Sequence, residues 1–289
     1  MLSYQHEFHA GNAADCMKHI CLVQILQDLN KKEKNWTVID SHSGAGRFFL
    51  NDERLLKTSE AKKGIEILFE KRKLITSPVI KDYLEKEEPY FANGEYAGSP
   101  ELVRLFAREK DSHFLIEKHP QALKSLKENI LKPLLTKKGD QKSFRNTKII
   151  EGDSWVSIKA LVPPLIKRGL VLIDPSYEDE SDFFNAAKAV EEIHKKWNTA
   201  IIALWYPLLE RRKNETRAML SSMETCAKTS LQTTDFFRFE TVFYNKNLMR
   251  EEDKAHMYGS GMFFINPPWM LKEKLENSKR EIEFLLGKK

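Results

Sequence analysis

The apolar run Gly169–Ile173, and the repeated pattern to which it belongs, constrain the fold of this 289-residue chain more than any other feature. A short, continuous apolar run followed by turn residues is typical of a strand buried on both faces of a parallel sheet. Further strand-like runs alternate with helical patterns, which predicts an α/β fold with a mainly parallel sheet. The predicted strands are Trp36–Asp40, Ser112–Glu117, Thr147–Glu151, Gly169–Asp174, Ala200–Trp205, Leu231–Phe243 and Met262–Asn266.

The helical segments add detail to this architecture. Asn12 is a candidate N-cap for a first helix with one apolar face. That face is formed by Ala14, Met17, Cys21, Ile25 and Leu29. Residues 50–97 are highly charged and helical in pattern over Ala61–Leu74 and Pro78–Glu87, and we predict no strand there. The chain is therefore expected to form a main domain from residues 1–49 and 98–289, with a helical insertion at 50–97.

Composition indicates an ordinary globular protein, with 41% hydrophobic and 31% charged residues. No apolar run approaches the roughly 20 residues that span a bilayer, and the first residues do not resemble a signal peptide. The cysteines show no metal-binding spacing and fit a reducing cytoplasm. The net charge of +5 is compatible with a polyanionic partner but does not establish one.

The tetrapeptide Asp174-Pro175-Ser176-Tyr177 follows the apolar strand, at the sheet edge where α/β proteins bind ligands. The side chain of Asp174 and the carbonyl of Pro175 can each accept one N–H of an exocyclic amine, so that the nitrogen lone pair points at an electrophile. The ring of Tyr177 can stack on the base. This arrangement suits methylation of a base amine, although Asp, Pro and Ser also occur in ordinary turns.

Three other strand ends carry groups that suit a nucleoside cofactor. The segment Asp40–Gly46 at the end of the first strand contains Gly44 and Gly46, which allow a close approach of the backbone to a ligand. It lacks the third glycine of a dinucleotide-binding loop, which argues against a nicotinamide oxidoreductase. Glu117 is expected to accept ribose hydroxyls, and Asp153 an adenine amino group. Each carboxylate has an alternative interpretation as a helix N-cap or a solvated turn residue.

Two further patterns are interpreted as structural. Asn266-Pro267-Pro268-Trp269 resembles an amino-methyltransferase signature, but it follows the last strand, so we predict that it ends that strand. The histidines His6, His9, His19 and His42 match no zinc spacing, and no metal site is predicted. Histidines near a nucleoside site, and Lys18, can instead contact the carboxylate of a methionine moiety.

Several segments together resemble the RlmJ family, bacterial enzymes that methylate N6 of one adenine in 23S ribosomal RNA. The resemblance covers essentially the whole chain. It rests on Met1–Tyr4, His9–Asp15, Lys18-His19, His42–Arg47, Gly98–Pro100, Glu117–Pro120, Arg168–Leu170, Asp174-Pro175, Ala203–Pro207, Gly261-Met262 and Asn266–Trp269.

The resemblance implies a class I (Rossmann-like) methyltransferase fold, with S-adenosylmethionine as cofactor and S-adenosylhomocysteine as product. It also implies a cytoplasmic enzyme that acts on 23S ribosomal RNA in a naked or early-assembly form. The enzyme would work as a monomer, with neither an obligate protein partner nor a membrane. Asp174 would be catalytic and Tyr4 a mobile gate near the substrate. The cofactor contacts would come from Lys18, His19, His42, Ser99, Glu117, Asp153 and Ser154, together with Gly44, Gly46 and Asp174.

Ser176 departs from the family pattern, which has a second proline at this position. Because Pro175 keeps its carbonyl, the substitution is expected to affect rate more than reaction type. The alternatives are a DNA adenine methyltransferase and a non-catalytic nucleic-acid-binding protein involved in the use of external DNA. Basic residues are candidate contacts to the nucleic acid, with surface solubility as the simpler explanation: Arg47, Lys167, Arg168, Arg211, Arg212 and Lys213.

Overall fold

The computed structural model describes residues 6–135, 146–229, 235–245 and 257–287, and its centre is a seven-stranded sheet. The strands, in chain order, are β1 (Thr37–Asp40), β2 (Arg47–Phe49), β3 (Glu95–Ala97), β4 (Ser112–Glu117), β5 (Thr147–Glu151), β6 (Gly169–Ile173), β7 (Ile201–Leu208), β8 (Phe236–Val242) and β9 (Gly259–Ile265). The helices are α1 (Ala13–Asn30), α2 (Glu53–Thr58), α3 (Ile65–Glu70), α4 (Pro78–Phe91), α5 (Ser99–Phe106), α6 (Pro120–Ile130), α7 (Ser154–Leu161), α8 (Ser181–Lys196), α9 (Lys213–Thr229) and α10 (Leu271–Leu286).

The large sheet has the strand order β5-β4-β1-β6-β7-β9-β8. The first five of these strands are parallel, whereas β9 is antiparallel to both β7 and β8. The chain starts at β1, moves outward to β5 and returns through β6 on the other side of β1. Ligands of open α/β sheets bind at such a reversal, outside the carboxyl ends of the strands. The predicted α/β fold with a seven-stranded, mostly parallel sheet is confirmed.

The strand β7 continues past its predicted end at Trp205, through Pro207, to Leu208. A proline is normally excluded from a central strand because it cannot donate a hydrogen bond. Here β6 pairs with β7 only as far as Leu204, so β9 alone lies beside the strand at Pro207. The prediction ended too early because the sequence does not reveal that one neighbouring strand stops first.

The last two strands are shifted relative to the predictions. The predicted strand Leu231–Phe243 is regular from Phe236, and residues 231–234 lie outside the described residues. The predicted strand Met262–Asn266 begins earlier, at Gly259, and ends at Ile265.

The helix α1 is buried on nearly all sides. The predicted N-cap is confirmed, because Oδ1 of Asn12 accepts a hydrogen bond of 2.9 Å from the backbone N–H of Asp15. The single apolar face is wrong, since α1 packs against α4, α5, α10 and β9. Outside the predicted stripe, its buried apolar residues include Cys16, Ile20, Leu22, Val23 and Leu26. The polar residues Asp15, Lys18 and His19 are buried as well and therefore require partners inside the protein.

The segment 50–97 contains a strand, which corrects the prediction that it has none. β3 pairs antiparallel with β2 and forms a small second sheet. The predicted helix Ala61–Leu74 is divided into α3 and two short 3-10 turns. At Gly64 the chain passes so close to Gly11 that a Cβ would lie 2.0 Å from the Gly11 carbonyl oxygen. A regular helix is interrupted there because the two backbones meet.

The helices of this segment share one hydrophobic core with α1. Its buried side chains include Leu55, Ile65, Leu68, Ile80, Tyr83 and Tyr90 from the segment and Met17 and Ile20 from α1. The division into a main domain and an insertion stays a prediction. Within the described ranges, no helix combines the length and the apolar character that crossing a bilayer requires.

Arg47, a candidate substrate contact, is buried at the start of β2, which corrects that prediction. Only 4% of its side chain is exposed. One Nη donates to Glu101 at 2.9 Å and to the carbonyl of Pro133 at 2.9 Å. Glu101 also accepts hydrogen bonds from Arg104 and from the hydroxyl of Tyr90. Arg47 therefore stabilises the fold and cannot reach a nucleic acid.

We predict that Arg47→Gln lowers the free energy of unfolding by about 3 kcal/mol, because it removes one partner of a buried ion pair and leaves Glu101 undercompensated. Urea denaturation at neutral pH measures the change. Lys31→Gln is the control: Lys31 pairs with Asp28 at 2.7 Å on an exposed surface, where such pairs contribute less than about 1 kcal/mol. Equal effects of the two substitutions would contradict a structural role for Arg47.

Candidate active site

A cleft of about 710 Å³ opens at the carboxyl ends of the parallel strands. The ends of β4 and β1 and the start of α7 form one half, and the segments after β6 and β7 form the other half. The cleft is therefore large enough for a nucleoside and a second flat group, within the usual range for ligand sites. Its position follows from the reversal of strand order between β1 and β6.

The loop after β1 brings backbone amides to the end of β4. Gly44 and Gly46 have φ angles of 58° and 74°, which favour glycine. The N–H of Gly44 donates to Oε2 of Glu117 at 2.7 Å. Oε1 of Glu117 accepts from the N–H groups of Lys118 and His119 at 2.8 and 2.7 Å. The carboxylate is thus held rigidly at the cleft wall, with lone pairs left to accept further donors.

Asp153 takes the N-cap role that the sequence left open, and its contact to an adenine amino group stays a prediction. Its Oδ1 accepts the N–H of Trp155 at 2.9 Å and so caps α7. Its Oδ2 pairs with Lys118 at 2.8 Å. Although partial burial acts in the opposite direction, the hydrogen bond and charge of Lys118 lower the pKa of Asp153 below its ordinary value. Asp153 is also part of the cleft wall, and the neighbouring hydroxyl of Ser154 donates to the carbonyl of Ser41.

The histidines near the cleft are neutral or bonded to protein groups. Burial lowers the pKa of His19 and of His42 to about 3. His19 bonds through Nδ1 to the hydroxyl of Tyr96 at 2.7 Å, and His42 contacts Ser41 through Nδ1 at 2.6 Å. The ring of His42 meets Trp155 edge to face, with centroids 5.2 Å apart. No metal-binding group of three or more His, Cys, Asp or Glu residues occurs among the described residues.

Asp40, which the sequence analysis did not single out, is completely buried at the end of β1. It accepts a hydrogen bond of 2.6 Å from the hydroxyl of Ser99, a predicted cofactor contact. Burial raises the pKa of Asp40 to about 7. Asp40 therefore orients Ser99, which lines the cleft. The sequence signal for Asp40 was its place as a charged residue at the end of an apolar strand.

The tetrapeptide after β6 belongs to the second half of the cleft. Asp174, Pro175, Ser176 and Tyr177 all contribute to its lining. Tyr177 has a positive φ of 54°, which is strained for a non-glycine residue and recurs at functional sites. Its hydroxyl donates to the carbonyl of Trp205 at 2.9 Å. Only 4% of Tyr177 is exposed, so its stacking role stays a prediction.

A buried lysine joins α1 to this tetrapeptide. The ammonium of Lys18 donates to Oδ1 of Asp15 at 2.8 Å and to Oδ2 of Asp174. Burial alone would lower the pKa of Lys18, but the two carboxylates raise it above the ordinary value. The sequence analysis missed Asp15. Its position three residues before Lys18 on one helix was the signal.

The second tetrapeptide lies at the opposite edge of the sheet. Because β9 is antiparallel to β7, Asn266 follows the pair formed by Ile265 and Ile202, near the amino end of β7. Its amide donates to the carbonyls of Asn198 and Ala200 at 2.7 and 2.9 Å. Residues 266–269 do not line the cleft. This tetrapeptide therefore lies where β9 ends.

The candidate nucleic-acid contacts are dispersed. Lys167 and Arg168 precede β6 and lie at the edge away from the cleft. Arg212 is held by Glu180 at 2.5 Å and Glu215 at 3.0 Å. Arg211 is exposed and lines the cleft.

The structure gathers most of the predicted site residues in this one cleft, and the three that are not among its described lining residues are Arg47, Tyr4 and Gly46. Arg47 is excluded by burial, and Tyr4 lies outside the described residues. Gly46 supports the loop from beneath, close to Leu126. The cleft residues among the predictions are Lys18, His19, His42, Gly44, Ser99, Glu117, Asp153, Ser154, Asp174, Pro175 and Tyr177.

Comparisons with known proteins agree with this architecture. Over 280 residues, the chain is 34% identical to a Haemophilus influenzae protein and 32% identical to an Escherichia coli protein, both named ribosomal RNA large subunit methyltransferase J. Each match covers 96% of this chain and 91% of the relative. A crystal structure of a Legionella pneumophila protein superposes with a TM-score of 0.76 at 28% identity, over 95% of this chain and 94% of that one.

The family model described as "Ribosomal RNA large subunit methyltransferase D, RlmJ" matches residues 33–288. This range includes all strands of the large sheet and the Asp174 tetrapeptide. The chain therefore belongs to the RlmJ family of ribosomal RNA large subunit methyltransferases.

Proposed function

We propose that the protein is an S-adenosylmethionine-dependent methyltransferase that acts on N6 of an adenine in 23S ribosomal RNA. The observation that carries the proposal is the position of Asp174 and Pro175 in one cleft with the Gly44 loop and Glu117. A methyl acceptor and a nucleoside cofactor would meet there. The family membership supports ribosomal RNA as the substrate, and the resemblance supports the adenine N6 position. We further propose that the enzyme works in the cytoplasm as a monomer.

The residues of the cleft fit this cofactor. S-adenosylmethionine supplies an electrophilic methyl group on a positively charged sulfonium. Glu117, fixed by three backbone N–H groups, would accept the ribose hydroxyls, and Asp153 would accept the adenine amino group. The acidic lining, to which Asp174 also belongs, favours a ligand that carries positive charge. The methionine end would lie towards Lys18, His19, His42 and Ser99.

The catalytic step follows from the geometry at the end of β6. The carboxylate of Asp174 and the carbonyl of Pro175 would accept the two amine N–H groups and aim the nitrogen lone pair. The negative charge of Asp174 then stabilises the amine as it becomes cationic on gaining the methyl group. The extra proton leaves afterwards, so no strong base is needed beforehand. Ser176 removes neither acceptor, because it replaces only the second proline of the family pattern.

The target base must leave its stack to reach the cleft, which favours a single-stranded or weakly paired region. Mass spectrometry of nucleosides from ribosomal RNA and genomic DNA, from cells with and without the gene, tests the proposal. N6-methyladenosine should disappear from 23S ribosomal RNA without the gene. Loss confined to DNA would instead support a DNA methyltransferase, and no loss in either would oppose an enzymatic role.

We predict that Asp174→Asn lowers the rate of methyl transfer by roughly 10²–10³, because one preorganised electrostatic contact is lost. Single-turnover assays with ribosomal RNA measure the rate. Asn266→Ala is the control, since it alters the other tetrapeptide without touching the cleft, and a folded variant should keep its rate. An inactive Asn266→Ala beside an active Asp174→Asn would mean that the wrong tetrapeptide has been assigned.

Glu117→Gln should weaken binding of S-adenosylhomocysteine about 10-fold or more, because hydrogen bonds to a charged acceptor contribute roughly 1.5–3 kcal/mol. Calorimetry measures the affinity, and NAD should give no comparable heat with either protein. Glu151→Gln is the matched control. Glu151 ends the neighbouring strand, is 69% exposed and pairs with Lys127, so its loss should leave the affinity unchanged. Similar losses from both substitutions would exclude a specific ribose contact.

Arg211→Gln should weaken binding of RNA and reduce the slope of log affinity against log salt by about 0.7, the contribution of one phosphate contact on a single strand. Arg212→Gln should leave the slope unchanged, because Glu180 and Glu215 already neutralise that guanidinium. Filter binding at several salt concentrations measures both. Equal slopes for the two variants would argue against Arg211 as a phosphate contact.

A further inference from the structure

Asp15, Lys18 and Asp174 form a buried line of charges that connects α1 to the segment after β6. Lys18 is 5% exposed at its side chain, Asp15 is 4% exposed and Asp174 is 15% exposed. Asp15 and Lys18 form an i,i+3 pair on α1, whereas Asp174 follows β6. The ammonium therefore connects a fixed helix to the residue that would orient the substrate.

Asp15 is itself immobilised. Its Oδ2 accepts hydrogen bonds of 2.9 Å from Nε2 of His6 and from the backbone N–H of Gly11, which leaves Oδ1 for Lys18. A flexible surface pair would lose its geometry easily, but these contacts define where the ammonium lies. Because Asp15 is fixed and holds Lys18, the ammonium of Lys18 fixes the position of Asp174 relative to α1.

The two oxygens of Asp174 differ. Oδ2 accepts from Lys18, while no hydrogen bond to Oδ1 occurs within the described ranges, and the residue lines the cleft. We propose that Asp15 is a positioning residue for methyl transfer: it holds Lys18, which donates to Oδ2 of Asp174 and so leaves Oδ1 facing the substrate amine. This inference rests on the proposed function.

The charges support the same role. Asp15, Lys18 and Asp174 together carry one negative charge, which remains beside a developing cationic amine. Lys18 without Asp15 would neutralise Asp174 and weaken that stabilisation. Asp15 therefore both positions the lysine and compensates its charge. Other titratable groups near this line include His6, His19 and Asp40.

The alternative is that Lys18 binds the carboxylate of the cofactor, as the sequence analysis considered. The two roles affect different quantities. A positioning residue changes the rate of the bound complex, whereas a cofactor contact changes the affinity for S-adenosylhomocysteine. The experiment therefore measures both quantities on each variant.

The test compares Asp15→Asn, Lys18→Met and the double variant with the wild type, using kcat at saturating cofactor and RNA, and calorimetry with S-adenosylhomocysteine. Asp15→Asn should lower kcat roughly 10-fold to 100-fold, the range that a displaced catalytic group costs, with unchanged affinity. Asp28→Asn is the matched control. Asp28 forms the same i,i+3 pair with Lys31 on the exposed part of α1, and its loss should change nothing.

The double variant tests whether Asp15 acts through Lys18. If it does, Asp15→Asn causes no further fall of kcat once Lys18→Met is present, so the two effects are not additive. The double variant should also fold better than the single variants, because it removes a buried charge together with its partner. A normal kcat in the double variant, or reduced affinity with normal kcat in the single variants, would overturn the proposal.

Failure of the proposed function has a different signature. It would leave the wild type itself without methyl transfer to ribosomal RNA. Failure of the positioning role would leave the wild type active and Asp174→Asn impaired, while Asp15→Asn and Lys18→Met transfer the methyl group at the normal rate.

Discussion

The parallel alignment of β4, β1, β6 and β7 is the constraint on which the site depends. Parallel pairing brings the carboxyl ends of neighbouring strands to one edge, so residues far apart in sequence become neighbours. Glu117 and the Gly44 loop meet through a hydrogen bond of 2.7 Å, and Asp174 lies beyond β1 on the other side. Reversal of the strand order at β1 leaves room for a ligand between them.

Electrostatics organises this edge further. Several acids line the cleft, and Lys18 is the cation that joins two of them from within the protein. Burial keeps His19 and His42 neutral by lowering their pKa to about 3, so these rings contribute hydrogen bonds and shape instead of charge. The result is a cleft whose lining favours a ligand that carries positive charge.

Buried polar residues account for the main differences between expectation and structure at and near the site. Arg47 was grouped with surface cations, yet it stabilises Glu101 inside the fold. Asp15 and Asp40 attracted no functional interpretation, yet each orients a residue of the cleft. A sequence shows the same charged residue whether its side chain is solvated or paired in the interior. Its burial depends on segments that are distant along the chain.

The sequence by itself determined the order of the seven strands of the large sheet and the acids at strand ends, and it is the basis for preferring the Asp174 tetrapeptide to the one at Asn266. These features depend on local periodicity and on position along the chain, which a sequence contains. Only the tertiary structure decided that Lys18 joins Asp174, that Pro207 continues a strand and that Gly64 interrupts a helix. Each of these depends on which backbones approach one another, and such contacts arise only when the whole sheet and its covering helices are assembled.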